Sequence, residues 1–195
     1  GIYPRVLSIA GTDPTGGAGV HADLKTISVL GGYGMGAITA VVSQNTCGVR
    51  SIHTPPPEVL RDQLLAVSDD VVVDAVKIGM LGSAGAVEVV GQWLQEQKPP
   101  LCVIDPVMVA TAGGTLLESD ALGAVLELLG SADLVTPNLT ELASLLDRPG
   151  RRVRAYTGRT DPEERAELEQ ALKDNEVKAL AATSALGMGF DKPDL

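Results

Sequence analysis

The stretch that decides the fold is residues 5–30, "RVLSIAGTDPTGGAGVHADLKTISVL". It opens with an apolar run typical of a buried strand and passes through a loop that holds Pro14 and four glycines. The pattern that follows predicts a helix over roughly residues 18–30. A strand, a glycine-rich loop and a helix in succession are the first half of a βαβ unit. The loop also indicates close approach of the backbone to a ligand.

The same alternation continues along the chain. Apolar segments predict strands at 36–44, 74–80, 100–108 and 132–137. One helix is predicted with Pro57 and Glu58 in its first turn, and others over 84–97, over roughly 119–129 and over 138–146. Residues 51–56 read as an irregular connection. We therefore expect an α/β fold with a doubly wound, mostly parallel sheet and helices on both faces. Ligands of such sheets bind at the carboxyl ends of the strands.

The amino-acid composition limits the kinds of protein that this chain can be. With 45% hydrophobic and 21% charged residues over 195 positions, the chain is expected to be a soluble globular protein without a membrane span or signal peptide. Its two cysteines form no cluster with its two histidines, which disfavours a zinc site or disulfide scaffold and fits a reducing cytoplasm. The net charge of −10 disfavours nucleic acid as a partner.

Charge divides the chain into two segments. Residues 1–147 hold 6 basic and 16 acidic residues, whereas residues 148–195 hold 9 of each. Residues 151–159, 160–175 and 177–185 predict a strand, a helix and a second strand, so residues 148–195 are expected to form a separate βαβ fragment.

Gly11 and Gly16 have the spacing of a phosphate-binding P-loop, but the lysine and the serine or threonine of that motif are missing. This argues against a P-loop nucleotide hydrolase. A tight turn that needs glycine for packing remains open. Four glycines in nine residues favour a loop that wraps a small neutral ligand with backbone amides.

Three polar or soft side chains lie on a predicted helix or at the ends of predicted strands. The carboxamide of Gln44 could pair with an aminopyrimidine edge, although a glutamine at a strand end more often braces a loop. Asp23 could equally be a helix-surface carboxylate, and Met80 could simply fill the core.

Two further segments carry carboxylates. Asp105 follows the apolar run "LCVI", where a carboxylate needs a cation or hydrogen-bond donors, and magnesium with phosphate would supply the cation. Asn138 and Glu141 stand three residues apart at a predicted helix start, a spacing that fits a capping pair and is also compatible with binding a metal through water.

The segments "IAGTDPTGGAGVHADLKT", "ITAVVSQNT", "VKIGML", "DPVM" and "TPNLTE" occur in the order found in hydroxymethylpyrimidine and hydroxymethylpyrimidine phosphate kinases of thiamine biosynthesis. Residues 6–146 resemble that family, which belongs to the ribokinase-like superfamily. The resemblance implies two successive phosphorylations that use ATP and magnesium, and a small-molecule hydroxymethylpyrimidine substrate. It also implies that the protein is cytoplasmic and pairs as a homodimer.

The resemblance carries over to particular residues. It implies that Gln44 takes the pyrimidine edge, that Gly11 and Asp23 line the same pocket, and that Met80 and Val107 pack on the ring. At the other end of the site it implies magnesium held mostly through water. The residues there are Asp105, Asn138 and Glu141.

The family should also supply a Lys-Gly-Gly segment and a later glycine turn that forms an anion hole and carries the base. No Lys-Gly-Gly segment follows "TPN". Residues 187–191, "GMGFD", resemble the glycine turn, but Pro193 follows them, so they cannot open a helix that stabilises an anion. The sequence thus predicts a truncated kinase domain without the catalytic groups.

Residues 151–195 instead resemble a fragment of the second domain of RecQ-type DNA helicases. This resemblance predicts a chimeric chain whose foreign fragment completes or caps the sheet.

Three alternatives remain. One is a sugar or pyridoxal kinase of the same superfamily. Another is a pyrimidine-binding module without catalysis. The third is a DNA-interaction protein built on the C-terminal segment, which the neutral charge of residues 148–195 disfavours.

Overall fold

The computed structural model describes residues 3–107, 109–110, 114–115, 122–146, 153–156, 160–174, 176 and 179–182. The chain divides into two compact units, Gly1–Thr136 and Pro137–Leu195. The boundary between the units lies about ten residues before the change in charge composition.

The first unit is built on a five-stranded parallel sheet of order β2-β1-β5-β6-β9. Its strands are β1 (Arg5–Ala10), β2 (Tyr33–Ile38), β5 (Ala75–Ile78), β6 (Cys102–Ile104) and β9 (Leu134–Val135). Its helices are α1 (Gly19–Val29), α2 (Pro57–Ser68), α3 (Ala84–Gln97) and α4 (Leu122–Leu129). Two antiparallel pairs complete it, β3 (Val41–Asn45) with β4 (Gly48–His53) and β7 (Val109–Ala110) with β8 (Gly114–Thr115). The predicted parallel α/β architecture is confirmed.

The core lies between one face of this sheet and helices α2, α3 and α4. Alternate residues of the strands point into it because strand side chains alternate between the two faces. Its members include Leu7, Ile9, Leu60, Leu64, Val76, Ile78, Val87, Val90, Trp93, Ile104 and Val125. Burial of these aliphatic side chains is the main stabilising contribution to the unit.

The opposite face carries Ser8 and Lys77, which are register partners on β1 and β5. Both make hydrogen bonds to Asp23 of α1, so this face is polar where α1 covers it. A polar patch inside a parallel sheet is costly unless its groups are paired, and here they are.

The prediction of one strand over 36–44 and an irregular connection over 51–56 is wrong in part. The chain turns at Thr39, whose backbone N–H donates to Ala10 O (3.1 Å) and whose hydroxyl donates to Met80 O (2.5 Å). β3 therefore leaves the sheet and pairs with β4 as a hairpin. Apolar pattern alone does not show this turn, because Thr39 is held by contacts with distant residues.

The second unit contains α5 (Leu139–Leu146), β10 (Val153–Tyr156), α6 (Pro162–Lys173) and β11 (Ala179–Ala182). β10 and β11 form a separate two-stranded parallel sheet, which is the βαβ arrangement predicted for this segment. The Asp161 carboxylate accepts from Glu163 N (2.9 Å) and caps α6 as its sequence predicts. The described strands of this unit pair with each other and not with the central sheet, so the prediction that the segment completes that sheet is wrong. Capping of the sheet by the segment stays a prediction, and "GMGFD" lies outside the described residues.

Among the described residues, no helix combines the length and the apolar character that a membrane crossing requires.

Candidate functional site

The carboxyl ends of the central strands meet along one rim of the first unit. Backbone hydrogen bonds run from Thr39 N to Ala10 O (3.1 Å), from Gly79 N to Ile9 O (2.9 Å) and from Asp105 N to Ile78 O (2.8 Å). These bonds fix the segments after β1, β2, β5 and β6 side by side. Loops at this edge of a parallel sheet are where a ligand is expected.

Gly11 and Met80, predicted to lie in one pocket, are in contact. A Cβ atom at Gly11 would stand 2.8 Å from Met80 Cε and 3.5 Å from Val42 Cγ2. Any larger residue at position 11 would displace the methionine. Val42 is a residue that sequence reasoning missed, because its position depends on the β3–β4 hairpin.

The glycine loop is organised around Asp13, whose residue surface is only 3% exposed. Its carboxylate accepts from Thr15 N (3.0 Å), Gly17 N (2.9 Å), Ala18 N (2.9 Å) and the Thr15 hydroxyl (2.9 and 3.0 Å). Gly17 and Ala18 immediately precede α1, so the carboxylate also satisfies donors at the helix start.

Burial by itself raises the pKa of the Asp13 carboxyl, but its hydrogen bonds outweigh that effect. The donors are the hydroxyl and N–H of Thr15, the side chain of Gln44 and the N–H of Gly17, and together they hold the pKa below its ordinary value. Asp13 is thus an ionised group under the loop. Its role was not predicted from the sequence, because Asp13 lies well before Ala18, the N-cap position of α1, and is not itself the cap.

Gln44 lies half-buried on β3, and its side chain is among the groups that lower the pKa of Asp13. The pairing of β3 with β4 is irregular here, since Ser43 pairs with Ser51 but Gln44 pairs with Val49. Such a bulge changes the direction of the side chains next to it. Its two interpretations, as a residue that braces a loop and as the residue that takes the pyrimidine edge, both stay predictions.

Asp23 faces the sheet. Its Oδ2 accepts from Ser8 Oγ (2.6 Å) and from Lys77 Nζ (3.0 Å), and its side chain is 17% exposed. The interpretation of Asp23 as a plain helix-surface carboxylate is therefore wrong. Lys77 and Ser8 were also missed, although a lysine inside the apolar segment "DAVKIGM" is an available signal.

Asp105 follows β6 and is half-buried. Burial raises the pKa of its carboxyl, while Lys77 lowers that pKa and Asp23 raises it. Val107 lies on the same turn, since its N–H donates to Asp105 O (2.8 Å). Lys77 is thus the cation that both Asp23 and Asp105 face.

Asn138 and Glu141 belong to the second unit and form a reciprocal cap of α5. Asn138 Oδ1 accepts from Glu141 N (2.9 Å), and Glu141 Oε2 accepts from Asn138 N (2.9 Å). This is the capping geometry that their spacing allowed. Their role toward magnesium stays a prediction.

No group of three or more His, Cys, Asp or Glu side chains that could hold a metal occurs within the described ranges. Magnesium, however, keeps most of its waters and needs only one or two protein carboxylates beside substrate phosphates. The half-buried carboxylate of Asp105 at the rim fits that limited requirement.

The fold and rim define a class: an α/β protein with a small-ligand site at the carboxyl ends of a parallel sheet. A family model described as phosphomethylpyrimidine kinase matches residues 13–177. The chain belongs to this family, whose members are phosphotransferases. The match extends past residue 146 into the second unit, so the helicase resemblance receives no support from it.

Two curated relatives show the extent of the similarity. The chain is 58% identical over 142 residues to a thiamine biosynthesis multifunctional protein of Corynebacterium efficiens, covering 73% of this chain and 19% of that protein. It is 49% identical over 146 residues to the hydroxymethylpyrimidine/phosphomethylpyrimidine kinase of Salmonella typhimurium, covering 74% and 55%. The chain thus spans about half the length of the separate kinase and a smaller part of the fused protein.

Solved structures agree on the fold. The phosphomethylpyrimidine kinase of Clostridium difficile superposes with a TM-score of 0.70 at 32% identity, covering 88% of this chain and 71% of that one. A pyridoxal kinase of Staphylococcus aureus in complex with AMP-PCP and pyridoxal superposes with a TM-score of 0.64 at 36% identity, covering 75% and 52%. The ribokinase-like fold expected from the sequence is therefore shown.

Proposed function

We propose that this chain provides the acceptor-binding part of a kinase that phosphorylates hydroxymethylpyrimidine and its monophosphate. The observation that carries the proposal is the contact of Gly11 with Met80 and Val42 at the rim of the sheet, with Gln44 two residues beyond Val42 on β3. It is supported by membership in the phosphomethylpyrimidine kinase family.

The chemistry of these residues suits a flat, neutral heterocycle. Met80 offers a soft, polarisable surface to a ring, and Gly11 leaves the space that a side chain would fill. Gln44 offers a donor and an acceptor side by side, which complements an aminopyrimidine edge. Asp23 and Val107 complete the proposed pocket.

ATP would be the phosphate donor, and bound magnesium would neutralise charge on its phosphates. Asp105 is the residue of the first unit that would hold the magnesium through water. Asn138 and Glu141, which cap α5, would also contact magnesium and the phosphates, mostly through water. Lys77 limits the repulsion between Asp105 and Asp23 before any cation binds.

The proposal includes weak turnover. Transfer of a phosphoryl group depends on positioned donors that meet the developing charge. The sequence after residue 137 contains no Lys-Gly-Gly segment and no glycine turn followed by a helix signal. We therefore expect this chain to bind the pyrimidine and to release ADP slowly, if turnover is measured with this chain alone.

Calorimetry with 4-amino-5-hydroxymethyl-2-methylpyrimidine tests the binding, with pyridoxal as the competing ligand. We expect saturable binding of the pyrimidine that Gln44→Ala abolishes and that Gln92→Ala, the same change on the exposed surface of α3, leaves intact. Tighter binding of pyridoxal would favour the pyridoxal kinase alternative. Absence of pyrimidine binding to the unaltered chain would overturn the proposal, and rapid ADP release would overturn weak turnover.

The proposal also includes a cytoplasmic location and pairing as a homodimer. Analytical sedimentation of the purified chain tests the homodimer. A helicase-derived origin of residues 151–195 is the remaining hypothesis, supported by the change in charge composition near residue 147. Reading the DNA through codon 148 tests it. Salt-dependent DNA binding by the chain would support the DNA-interaction alternative.

A further inference from the structure

A polar cluster of Ser8, Asp23 and Lys77 joins β1, α1 and β5. Both hydrogen bonds to the Asp23 carboxylate end on one oxygen, Oδ2, where Ser8 Oγ donates at 2.6 Å and Lys77 Nζ at 3.0 Å. The other oxygen, Oδ1, accepts no hydrogen bond from the described residues. Since no buried side-chain oxygen or nitrogen of these residues lacks a partner, Oδ1 is reached by solvent. Asp23 therefore has an acceptor left for a ligand.

Lys77 has donors left in the same way. An ammonium group carries three N–H donors, and among the described residues Lys77 donates to Asp23 alone. Its side chain is 29% exposed, against 17% for Asp23, so both partners of the ion pair reach solvent. A spare acceptor and spare donors thus lie side by side.

The ion pair lies at the rim of the sheet. Lys77 extends along β5 toward its carboxyl end, since a Cβ atom at Gly79 would stand 3.2 Å from Lys77 Nζ. The same Cβ atom would stand 3.2 Å from Ala10 Cβ. Ala10 precedes Gly11, and Gly79 precedes Met80. The ammonium group therefore reaches the residues next to the contact of Gly11 with Met80.

We infer that Asp23 and Lys77 together form a binding site for a hydroxyl group of the ligand. A hydroxyl can donate to Asp23 Oδ1 and accept from Lys77 Nζ, whereas a methyl group can do neither. The two charges are paired, so the site suits a neutral polar group better than an ion of either sign. The inference rests on the proposed function and deepens it. It assigns the hydroxymethyl group of the pyrimidine, which is the group to be phosphorylated, to this pair.

Two pyrimidines that differ only in this hydroxyl test the inference. They are 4-amino-5-hydroxymethyl-2-methylpyrimidine and 4-amino-2,5-dimethylpyrimidine, and calorimetry on the full chain gives the ratio of their dissociation constants. We expect the unaltered chain to bind the hydroxymethyl compound at least about tenfold more tightly, the effect of a hydrogen bond to a charged group. Lys77→Met should reduce that preference at least about fivefold. Equal affinities in the unaltered chain, or a preference that Lys77→Met leaves intact, would overturn the inference.

Ser8→Ala is the matched control. It removes the other hydrogen bond to Asp23 Oδ2, but Ser8 is fully buried and its side chain cannot touch a ligand. It should weaken both pyrimidines by the same factor and leave their ratio unchanged. If Ser8→Ala lowers the ratio as much as Lys77→Met does, Lys77 only supports Asp23 and its contact with the hydroxyl is overturned.

Lys77→Met also breaks an ion pair, so a second measurement uses the unaltered chain. The NMR signal of the Lys77 side-chain nitrogen, assigned by its loss in Lys77→Arg, should shift with the hydroxymethyl compound and stay in place with the dimethyl compound. An identical response to both compounds would contradict the site. Failure of the unaltered chain to bind either pyrimidine would overturn the proposed function, and the inference with it.

Discussion

Lys77 Nζ lies 3.0 Å from Asp23 Oδ2, and the two side chains are only 29% and 17% exposed. The bond joins β5 to α1 across 54 residues of sequence and also places a cation near Asp105. Arg5–Asp74 is the other ion pair among the described residues, and it lies on a different pair of segments.

Replacing Lys77 by methionine should destabilise the first unit. Asp23 would keep only the Ser8 bond, and an incompletely paired, mostly buried carboxylate costs about 1–3 kcal/mol. Loss of the cation should also raise the pKa of Asp105 further, because Lys77 is the group that lowers it. Urea unfolding and a carboxyl-carbon NMR titration of Asp105 measure the two effects.

The double variant Lys77→Met with Asp23→Leu is the control for that experiment. Removing both charges should recover part of the lost stability, since an unpaired buried charge costs more than an apolar pair. A double variant no more stable than Lys77→Met would show that the carboxylate of Asp23 is not the source of the loss.

Gly19→Ala should prevent the glycine loop from forming. Gly19 has φ +55°, and a Cβ atom there would lie 2.2 Å from Gly11 O. Because backbone strain and the collision with a backbone atom both destabilise the folded state, we expect the free energy of unfolding to fall by at least about 3 kcal/mol. Gly31→Ala separates the two causes, since Gly31 has φ +82° with nothing within 4 Å, and should cost only about 1 kcal/mol. Equal losses in the two variants, measured by urea unfolding, would show that the collision is relieved.

Acid should weaken the link between β1 and the segment before β5. Arg5 Nε and Nη2 each lie 2.8 Å from the Asp74 carboxylate, and these hydrogen bonds lower the pKa of Asp74 to about 2. The pKa of Asp74 in the folded state lies below its ordinary value of about 3.9. The Arg5–Asp74 pair therefore adds to the free energy of unfolding above that pH, and this stabilisation is lost as the pH falls toward 2.

Asp74→Asn should therefore make the fall in melting temperature between about pH 4 and pH 2 shallower. Asp70→Asn, a matched change at an exposed residue nearby, is the control. Identical pH profiles for the unaltered chain and Asp74→Asn would rule out this source of acid sensitivity.

The two cysteines should react differently. Burial, with a smaller effect of Asp133, raises the pKa of the Cys102 thiol to about 11, whereas Cys47 is exposed at the hairpin. Since the thiolate is the reactive form, iodoacetamide at neutral pH should modify Cys47 and leave Cys102 intact until the protein unfolds. Mass spectrometry of the unaltered chain and of Cys47→Ser checks this, and labelling of native Cys47→Ser would contradict it.

Local patterns were sufficient for most of the architecture. The helix predicted over residues 84–97 occurs with those bounds, and the one predicted over roughly 18–30 occurs as Gly19–Val29. Both are marked by apolar spacing and end signals within a few residues, which is information that a sequence contains directly. The contact of Gly11 with Met80 also follows from a general rule, because both stand at carboxyl ends of parallel strands.

The hairpin and the polar contacts could not be predicted in this way. Thr39 holds its turn through Met80 O, 41 residues away, and Arg5 meets Asp74 across 69 residues. No local propensity encodes such pairs. The glycine loop likewise meets the hairpin through a distant pair, since the Thr12 hydroxyl accepts from Val42 N (2.8 Å) across 30 residues.

Short-range periodicity and chain direction were enough to predict the alternation of strands and helices, the parallel sheet and the rim at which polar residues collect. The folded chain was needed to show that Asp13 organises the glycine loop, that β3 and β4 form a hairpin, and that Lys77 pairs with Asp23. These relationships depend on which distant segments meet, and burial of the charged groups is tolerated only once those partners are in place.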